Sequence, residues 1–446
     1  MEVCIIVEPL IKVIKSSDPL LEKILERNFL DHVQAADLVS EVLTSVRGLG
    51  DAAICEYTSR FGGPNLLPGQ LKVTDEEIET ACSLVEKEYL LSLRLALKNI
   101  AAFHQKQLER SWFETQESGA ILGQLVRPLE RVGIYVPGGK ASYPSSVLMN
   151  AVPARVAGVK EIAMVTPPAG DGSVNPYTLA AAAEAGVREI YKIGGAQAIA
   201  ALAFGTSVVP KVDKITGPGN IHVTLAKRQV YGVVDIDMLA GPSEILIIAD
   251  GAAEPSFIAA DLLSQAEHDE MASSVLLTPC GELALRVQDE VARQVSLLSR
   301  QDIMIRSLEC CGAIVITSDL EQAFALADRF APEHLEIMVN EPFSWLSRVK
   351  NAGAVFLGPH SPEPAGDYLA GPNHILPTGG TARFYSPLGV AAFLKKTSLI
   401  AYTGAALEKD ADAIVKLAEV EGLFAHANAV KVRLKKYAKE KGKGGE

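Results

Sequence analysis

The sequence predicts an α/β fold with two Rossmann-like parallel-sheet domains, one inserted in the other, and small helical segments at the N- and C-terminal ends. From Arg131 onwards, short apolar runs alternate with alanine-rich stretches of helical periodicity, and glycine or proline turns separate them. Such alternation is typical of parallel sheets covered by helices. The alternation restarts after Gly241-Pro242, and 446 residues exceed what one hydrophobic core normally holds, so two sheets are expected.

The first 110 residues are predicted to be mainly helical. Apolar residues at helical spacing predict a helix from Asp31 to Leu49, with Gly48 as a stop signal. A second helical pattern runs from Asp75 to Arg110, with a break near Tyr89.

Strands and helices then alternate in two series. The predicted strands are 161–165, 189–193 and 214–216 in the first series, and 245–248, 274–277, 313–316, 335–339 and 354–357 in the second. The predicted helices of the first series are 175–185, 196–204 and 221–231. Residues 360–387 form a long glycine- and proline-rich loop, which favours a functional role, and 404–440 return to helix.

These patterns divide the chain into five segments. They are an N-terminal helical arm (1–27), a largely helical first part of the first α/β domain (28–134), the inserted α/β domain (135–243), the second part of the first α/β domain (244–386) and a C-terminal helical domain (387–446).

Composition narrows the class of protein. A formal net charge of −12 argues against a nucleic-acid or anionic-membrane surface, because both require a basic footprint. No charge-free apolar run reaches about 18 residues, so no membrane span is expected. The N-terminus lacks the pattern of a signal peptide, and the six cysteines show no disulfide or metal spacing. A cytoplasmic protein is therefore expected.

Three glycine-rich turns are candidate phosphate sites, although G-x-G-x-x-G, P-loop and H-E-x-x-H motifs are all absent. The turns are YVPGG (135–139), GGAQ (194–197) and GPGN (217–220). The last two follow a predicted strand and open a predicted helix, where backbone N–H groups can bind phosphate. A tight strand–helix turn without a ligand is the more common explanation for any one such turn.

Histidine and carboxylate residues suggest a metal site without cysteine. Gln265 and His268 lie three residues apart near a predicted helix end and therefore share one helix face. Asp367 and His374 lie in the long loop, and His426 follows in EGLFAH. Nitrogen and oxygen donors suit zinc or another divalent metal. Spacing alone does not group these residues, and a solvated helix end also explains the first two.

Glu333-His334 places a carboxylate and an imidazole just before a predicted strand. Neighbours in an extended segment point to opposite faces, so a direct hydrogen-bonded pair is not expected. Each side chain can serve a separate proton transfer. A helix-ending glutamate followed by a half-buried histidine is the alternative interpretation.

Taken together, eight ordered blocks between about Glu26 and Arg433 resemble the histidinol dehydrogenase family. The blocks are RVGIYVPGGKASYPSSVLMNAVPARVAGV, KIGGAQAIAALAFGT, DKITGPGNIHVTLAK, DMLAGPSEILIIAD, DLLSQAEHD, APEHLEI, GDYLAGPNHILPTGGTARF and EGLFAHANAV. One local departure is Asp269-Glu270, where the family commonly has Asp-Pro.

The resemblance implies a set of site residues. The implied zinc ligands are Gln265, His268, Asp367 and His426, with one zinc per subunit. Glu333 and His334 match the proton-transfer pair. The implied substrate contacts are Ser243, Gln265, His268, His334, Asp367, Glu421 and His426. The implied NAD contacts are Tyr135, Gln197 and Asn220. In the family, the last zinc ligand and the counterpart of Glu421 come from the partner subunit of a homodimer with shared active sites.

The implied reaction is the NAD-dependent four-electron oxidation of L-histidinol, through bound L-histidinaldehyde, to L-histidine in the last steps of histidine biosynthesis. Three alternatives stay open. They are a relative that oxidises another polar alcohol such as a sulfonated propanediol, a zinc hydrolase without a nucleotide, and a metal-stabilised binding protein without turnover.

Overall fold

The computed structural model describes residues 9–27, 33–138 and 143–443. The chain divides into two compact units. The first unit comprises Met1–Gln107 and Leu129–Phe393, and the second unit comprises Leu108–Pro128 and Leu394–Glu446.

The strands, in chain order, are β1 (Lys12–Lys15), β2 (Trp112–Thr115), β3 (Ile121–Pro128), β4 (Arg131–Tyr135), β5 (Glu161–Thr166), β6 (Glu189–Lys192), β7 (Lys214–Thr216), β8 (Asp235–Ile236), β9 (Glu244–Ala249), β10 (Ser273–Thr278), β11 (Ala313–Ile316), β12 (His334–Met338), β13 (Ala354–Leu357) and β14 (Leu394–Ala401). The helices are α1 (Pro19–Leu25), α2 (Val33–Leu49), α3 (Asp51–Arg60), α4 (Asp75–Leu84), α5 (Lys87–Gln105), α6 (Pro144–Ala157), α7 (Pro176–Glu184), α8 (Gly195–Phe204), α9 (Ile221–Val230), α10 (Pro255–Ala266), α11 (Gly281–Val295), α12 (Gln301–Cys311), α13 (Leu320–Phe330), α14 (Glu363–Ala365), α15 (Gly404–Val420) and α16 (Phe424–Lys443).

The larger sheet of the first unit has six parallel strands in the order β1-β11-β10-β9-β12-β13. Successive residues of β9 alternate between its two faces. Ile245 and Ile247 pack in a core with α10, α11 and α12. Leu246 and Ile248 pack in a second core with α13. Burial on both faces explains why this strand is continuously apolar.

The smaller sheet has five parallel strands in the order β6-β5-β4-β7-β8. Its strands all fall in the sequence between β1 and β9 of the larger sheet, which confirms that one parallel-sheet region is inserted in the other. From β4 the chain adds strands first on one side and then on the other. The switch point therefore lies between β4 and β7, as in doubly wound folds.

Two features differ from the expected segment boundaries. Residues 12–15, expected within a helical arm, pair with β11 as an edge strand, because four residues carry too little periodicity to reveal a partner 300 positions away. Helices α2 and α3, expected in the first α/β domain, share a core with α8 and α9 against the smaller sheet. That sheet also begins at Arg131, before the expected boundary at 135.

The helical prediction for residues 75–110 is confirmed as far as Gln105, and its break comes at Val85-Glu86 rather than at Tyr89. Residues 106–110 are not helical. Helix α4 begins with a capping box. Glu77 N–H donates to Thr74 Oγ1, and Thr74 N–H donates to the Glu77 carboxylate at 2.8 Å. Residues 31–32 of the other predicted helix lie outside the described residues.

The second unit contains a three-stranded antiparallel sheet in the order β14-β3-β2, followed by α15 and α16. The prediction of a purely helical C-terminal domain is therefore wrong for Leu394–Ala401. These residues pair with Ile121–Pro128, so no local hairpin signal marks the pairing. Among the described residues, no helix combines the length and hydrophobicity needed to cross a membrane.

Candidate active site

The amino edge of the larger sheet gathers three of the predicted site segments. Strands β9 and β12 are parallel neighbours, with His334 opposite Ile245, so Ser243 and Glu333 immediately precede them at one edge. Gln265 lies in the last turn of α10 and His268 follows the C-cap Glu267, so both precede β10, the parallel neighbour of β9 on its other side. Parallel neighbours begin at the same edge, so distant residues meet there.

Glu333 and His334 are both buried, but they contact the backbone of Glu244 rather than each other. His334 Nδ1 lies 2.9 Å from the Glu244 carbonyl oxygen, and Glu244 N–H donates to Glu333 Oε2 at 2.9 Å. The direct distance from His334 Nδ1 to Glu333 Oε2 is 3.7 Å. The prediction that the two side chains form no simple pair is confirmed. Since the carbonyl accepts from Nδ1, Nε2 is left free.

His334 Nε2 faces a carboxylate cluster. It lies 3.9 Å from Glu363 Oε1 and 3.8 Å from Asp367 Oδ1. One candidate ligand atom from each of these three residues lies within 4.8 Å of the others, a spacing that suits a cation. Ser264 Oγ donates to Glu363 Oε2 at 3.0 Å.

Glu363 was not predicted as a site residue. It lies in the long loop, four residues before Asp367, and is 2 % exposed. The length and composition of the loop were the only available signal, because nothing local distinguishes this glutamate from a solvated one.

Gln265 carries the clearest indication of a ligand-binding site. This residue is fully buried, and neither atom of its side-chain amide has a hydrogen-bond partner. An unpaired buried amide costs about 1–3 kcal/mol, so a ligand that accepts or donates there would be stabilising. Its neighbour Ser264 donates to Glu363. Burial raises the pKa of Glu363, and it opposes the lowering of the pKa of Asp367, which His334 mainly causes. His268 lies near enough to favour the charged form of both carboxylates. An amide oxygen, an imidazole and carboxylates form a donor set that zinc accepts.

The electrostatics of the cluster also favour a cation. Burial raises the pKa of Glu333 to about 8, although His334 lowers it in part. Burial lowers the pKa of His334, but Glu333, Glu363 and Asp367 together raise it well above its ordinary value. Two buried carboxyl groups and the half-buried Asp367 thus surround one imidazole, and a divalent cation would balance their charge.

Glu421 and His426 belong to the second unit. Glu421 is the C-cap residue of α15, and His426 lies in the first turn of α16. Both side chains are exposed in the single chain.

The three glycine-rich turns meet at the carboxyl edge of the smaller sheet, around its switch point. Tyr135 ends β4, Gln197 lies in the first turn of α8 after β6, and Asn220 caps α9 after β7. Tyr135 Oη accepts a hydrogen bond from Gly195 N–H at 3.2 Å, and Gln197 Oε1 is buried without a partner. Asn220 is exposed and accepts from two backbone N–H groups of its own helix.

Close backbone approach explains the glycines of these turns. Gly217 has a φ of +113°, and a Cβ there would lie 2.1 Å from the Tyr135 carbonyl oxygen. Added Cβ atoms at Gly138 and Gly194 would both collide with Pro167. The turns are therefore packed against one another, whereas Gly139 lies outside the described residues.

Helix α6 connects the two edges. Ser146 lies in the first turn of this helix, and its Oγ is 3.5 Å from His374 Nε2. The other ring nitrogen of His374, Nδ1, lies 3.1 Å from the Asp367 carbonyl oxygen. Further along, the Met149 carbonyl accepts from Asn373 Nδ2 at 2.7 Å. The turn after Tyr135 thus leads directly to residues that hold the loop of Asp367.

A Rossmann-type switch point beside a buried histidine–carboxylate site defines an α/β oxidoreductase. The sequence profile described as "Histidinol dehydrogenase" matches residues 25–434, and the chain belongs to the histidinol dehydrogenase family. Histidinol dehydrogenase of Heliobacterium mobile is 58 % identical over 412 residues, which cover 92 % of this chain and 96 % of that protein. The enzyme of Carboxydothermus hydrogenoformans is 56 % identical and covers 95 % of this chain and 99 % of its own. The crystal structure of histidinol dehydrogenase from Elizabethkingia anophelis superposes with a TM-score of 0.91 at 38 % identity, over 97 % of this chain and 100 % of that chain.

Replacement of Gln265 by leucine tests the ligand role of its amide. Because that amide is buried and unpaired, Gln265→Leu is expected to leave the Tm of metal-free protein unchanged or higher. The rise in Tm on adding Zn²⁺ should shrink or vanish. Thermal unfolding with and without Zn²⁺ measures both effects.

Gln294→Leu is the matched control, since Gln294 Nε2 already donates to the Ser256 carbonyl at 2.9 Å and to Glu290 at 2.8 Å. It should lower the Tm while keeping the shift with Zn²⁺. A Gln265→Leu variant that loses metal-free stability and keeps the full zinc shift would make Gln265 a structural residue instead.

Proposed function

We propose that this protein oxidises L-histidinol, through bound L-histidinaldehyde, to L-histidine with two molecules of NAD, and so performs the last steps of histidine biosynthesis. The observation that carries the proposal is the buried Glu333–His334 pair. The His334 Nε2 atom faces the carboxylates of Glu363 and Asp367. Helix α6, which follows the first switch-point turn in the chain, lies beside this cluster. Proton-transfer groups, a metal site and a nucleotide-type edge are what such a reaction requires.

Zinc is the proposed metal, one per subunit. Gln265, His268 and Asp367 would hold it together with His426 of a partner chain. The unpaired amide of Gln265 supports this assignment, and Asp367 belongs with His334 and Glu363 to a group of donor atoms spaced for a cation. When bound, zinc supplies a positively charged anchor for the imidazole and amino nitrogens of histidinol, so its contribution is chiefly positional.

NAD is the proposed hydride acceptor, held by Tyr135, Gln197 and Asn220. Support comes from their common position at the switch point, where α/β sheets bind nucleotides. The unpartnered Oε1 of Gln197 is available for a ligand donor. Exposed Asn220 is accessible from the same edge.

His334 is the proposed base for the alcohol. Its Nδ1 donates to the Glu244 carbonyl, so Nε2 is the nitrogen that can take the hydroxyl proton of the substrate when hydride departs from the same carbon. Against the effect of burial, Glu333, Glu363 and Asp367 raise the pKa of this imidazole, and a cation held by Asp367 would offset that rise and leave Nε2 able to accept the proton. Substrate contacts from Ser243 and, across the dimer, from Glu421 would orient the amino alcohol. A carboxylate at Glu421 can accept a hydrogen bond from the amino group.

Glu333 is the proposed base for water in the second half-reaction. Water must add to the aldehyde before the second hydride departs, and the carboxylate can take the water proton with help from His334. A pKa of about 8, raised by burial, suits proton transfer near neutral pH. An aldehyde kept in the site between the two steps does not escape into solution.

A homodimer with shared sites is the proposed assembly, with the second unit reaching the partner. Glu421, Phe424 and His426 are exposed in the single chain, which leaves them available to another subunit. A cytoplasmic location is also proposed. It fits the free thiols Cys55, Cys82, Cys280, Cys310 and Cys311, which a reducing compartment preserves.

The stoichiometry of NADH tests the function. We expect two NADH per histidinol consumed, histidine as product and little free aldehyde trapped by an added carbonyl reagent, because one bound molecule is oxidised twice. Absorbance of NADH, with product analysis, gives the ratio. One NADH per substrate with aldehyde in solution would instead indicate a single-step alcohol dehydrogenase, and turnover without NAD would indicate a zinc hydrolase.

Separate assays of alcohol and aldehyde oxidation test the two bases. His334→Asn should slow both half-reactions by about 10²–10⁴-fold, whereas Glu333→Gln should slow chiefly aldehyde oxidation, since only that step needs activated water. Glu341→Gln, an exposed glutamate after the other end of β12, is the control and should change neither. Equal losses in both half-reactions of Glu333→Gln would contradict the assignment.

Mixed dimers test the shared site. Mixing inactive His426→Ala and His268→Ala chains should restore about one quarter of wild-type activity, because half of the random dimers carry one complete site of two. Mixing His268→Ala with Asp367→Ala is the control and should restore nothing, since both residues lie in the first unit. Verified heterodimers without recovery would mean that each chain completes its own site.

A further inference from the structure

Glu244 holds both proposed bases through its backbone. Its N–H donates to Glu333 Oε2 and its carbonyl accepts from His334 Nδ1, each at 2.9 Å. One peptide segment therefore fixes the carboxylate of one base and the tautomer of the other. A small displacement of Glu244 would misplace both groups.

The side chain of Glu244 is itself fixed in a buried environment. It is 4 % exposed, its carboxylate forms an ion pair with Arg27, and its Oε1 accepts from Gly379 N–H at 2.9 Å. A buried carboxylate with a single guanidinium partner depends strongly on that partner. The position of the Glu244 backbone is thus tied to Arg27.

Arg27 also contacts the segment that immediately precedes the two proposed bases. Its guanidinium carbon lies 3.4 Å from the centroid of the Phe330 ring, and Nη2 donates to the Phe330 carbonyl. Phe330 ends α13, and Ala331, in the left-handed region with a φ of +49°, turns the chain into Pro332-Glu333-His334. Arg27 therefore joins the start of β9 to the turn before β12.

We propose that Glu244 and Arg27 are positioning residues for catalysis, which clamp β9 to the turn before β12 and so align Glu333 and His334. Neither residue is among the proposed contacts to substrate, zinc or NAD. The inference rests on the proposed oxidation of histidinol.

The test compares Glu244→Gln, Arg27→Met and the double variant with wild type. Each single variant leaves one buried charge unpaired, so Tm should fall. The two half-reactions should slow by similar factors, about 10–100-fold in kcat, because misplacement of about 1 Å costs about 10²-fold. KM for histidinol should change less than about threefold, and elemental analysis should find zinc retained. Arg27→Lys, which keeps the charge, should retain more kcat than Arg27→Met.

The double variant separates positioning from stability. Removal of both charges leaves none unpaired, so its Tm should recover relative to the single variants, while kcat should stay low because the clamp is absent. Recovery of kcat together with Tm would reduce the pair to a structural role and overturn the inference. If a single variant does not fold, the double variant supplies the same measurement.

Arg329→Met is the matched control, since Arg329 pairs with Glu22 at the exposed surface of the same helix end. It should leave kcat unchanged. If wild type is active on histidinol and Glu244→Gln has an unchanged kcat, the positioning role is overturned and the proposed function is not affected. Wild type inactive on histidinol overturns the proposed function and this inference with it.

Discussion

Parallel pairing of β9 with β12 is the constraint on which the arrangement of the site depends. The pairing sets His334 opposite Ile245, and so brings the backbone of Glu244 to both Glu333 and His334. The hydrogen bond from His334 Nδ1 to the Glu244 carbonyl leaves Nε2 facing the carboxylates of Glu363 and Asp367. The same edge receives Gln265 from the end of α10, because β10 is the other parallel neighbour of β9.

Burial makes this edge costly unless its charges are balanced. Glu333, Glu363 and Asp367 lie around one imidazole, and desolvation opposes the charged form of every one of them. The buried amide of Gln265, unpaired on both atoms, adds a further cost. Buried groups of this kind become favourable around a cation, so their burial fits the proposed metal.

The sequence predicts most of the parallel framework but not its edges. Strands β9 to β12 match their predictions closely, because strands buried on both faces are continuously apolar. The edge strand β13 also matches its prediction, although it is only partly buried. Strand β1 and the antiparallel sheet were missed, since Lys12–Lys15 pairs with residues 300 positions later and Leu394–Ala401 with residues 270 positions earlier. Residue type predicted His334 and Asp367 as functional. It could not predict Glu244, whose contribution to the bases is made by backbone groups that any residue has.

The candidate functional residues lie at opposite ends of the strands in the two parallel sheets. In the smaller sheet the candidate nucleotide turns follow the strands at the carboxyl edge, as is usual for α/β folds. In the larger sheet the acid–base groups precede the strands at the amino edge. Helix α6 links the two edges. Its residue Ser146 approaches His374 near the larger sheet, and Tyr135 at the switch point of the smaller sheet precedes this helix in the chain. The turns at that point come from three separate strands, and Gly217 packs on Tyr135 without a shared loop. A nucleotide edge assembled in this way would need no G-x-G-x-x-G segment, so its proposal rests on the topology rather than on a local motif.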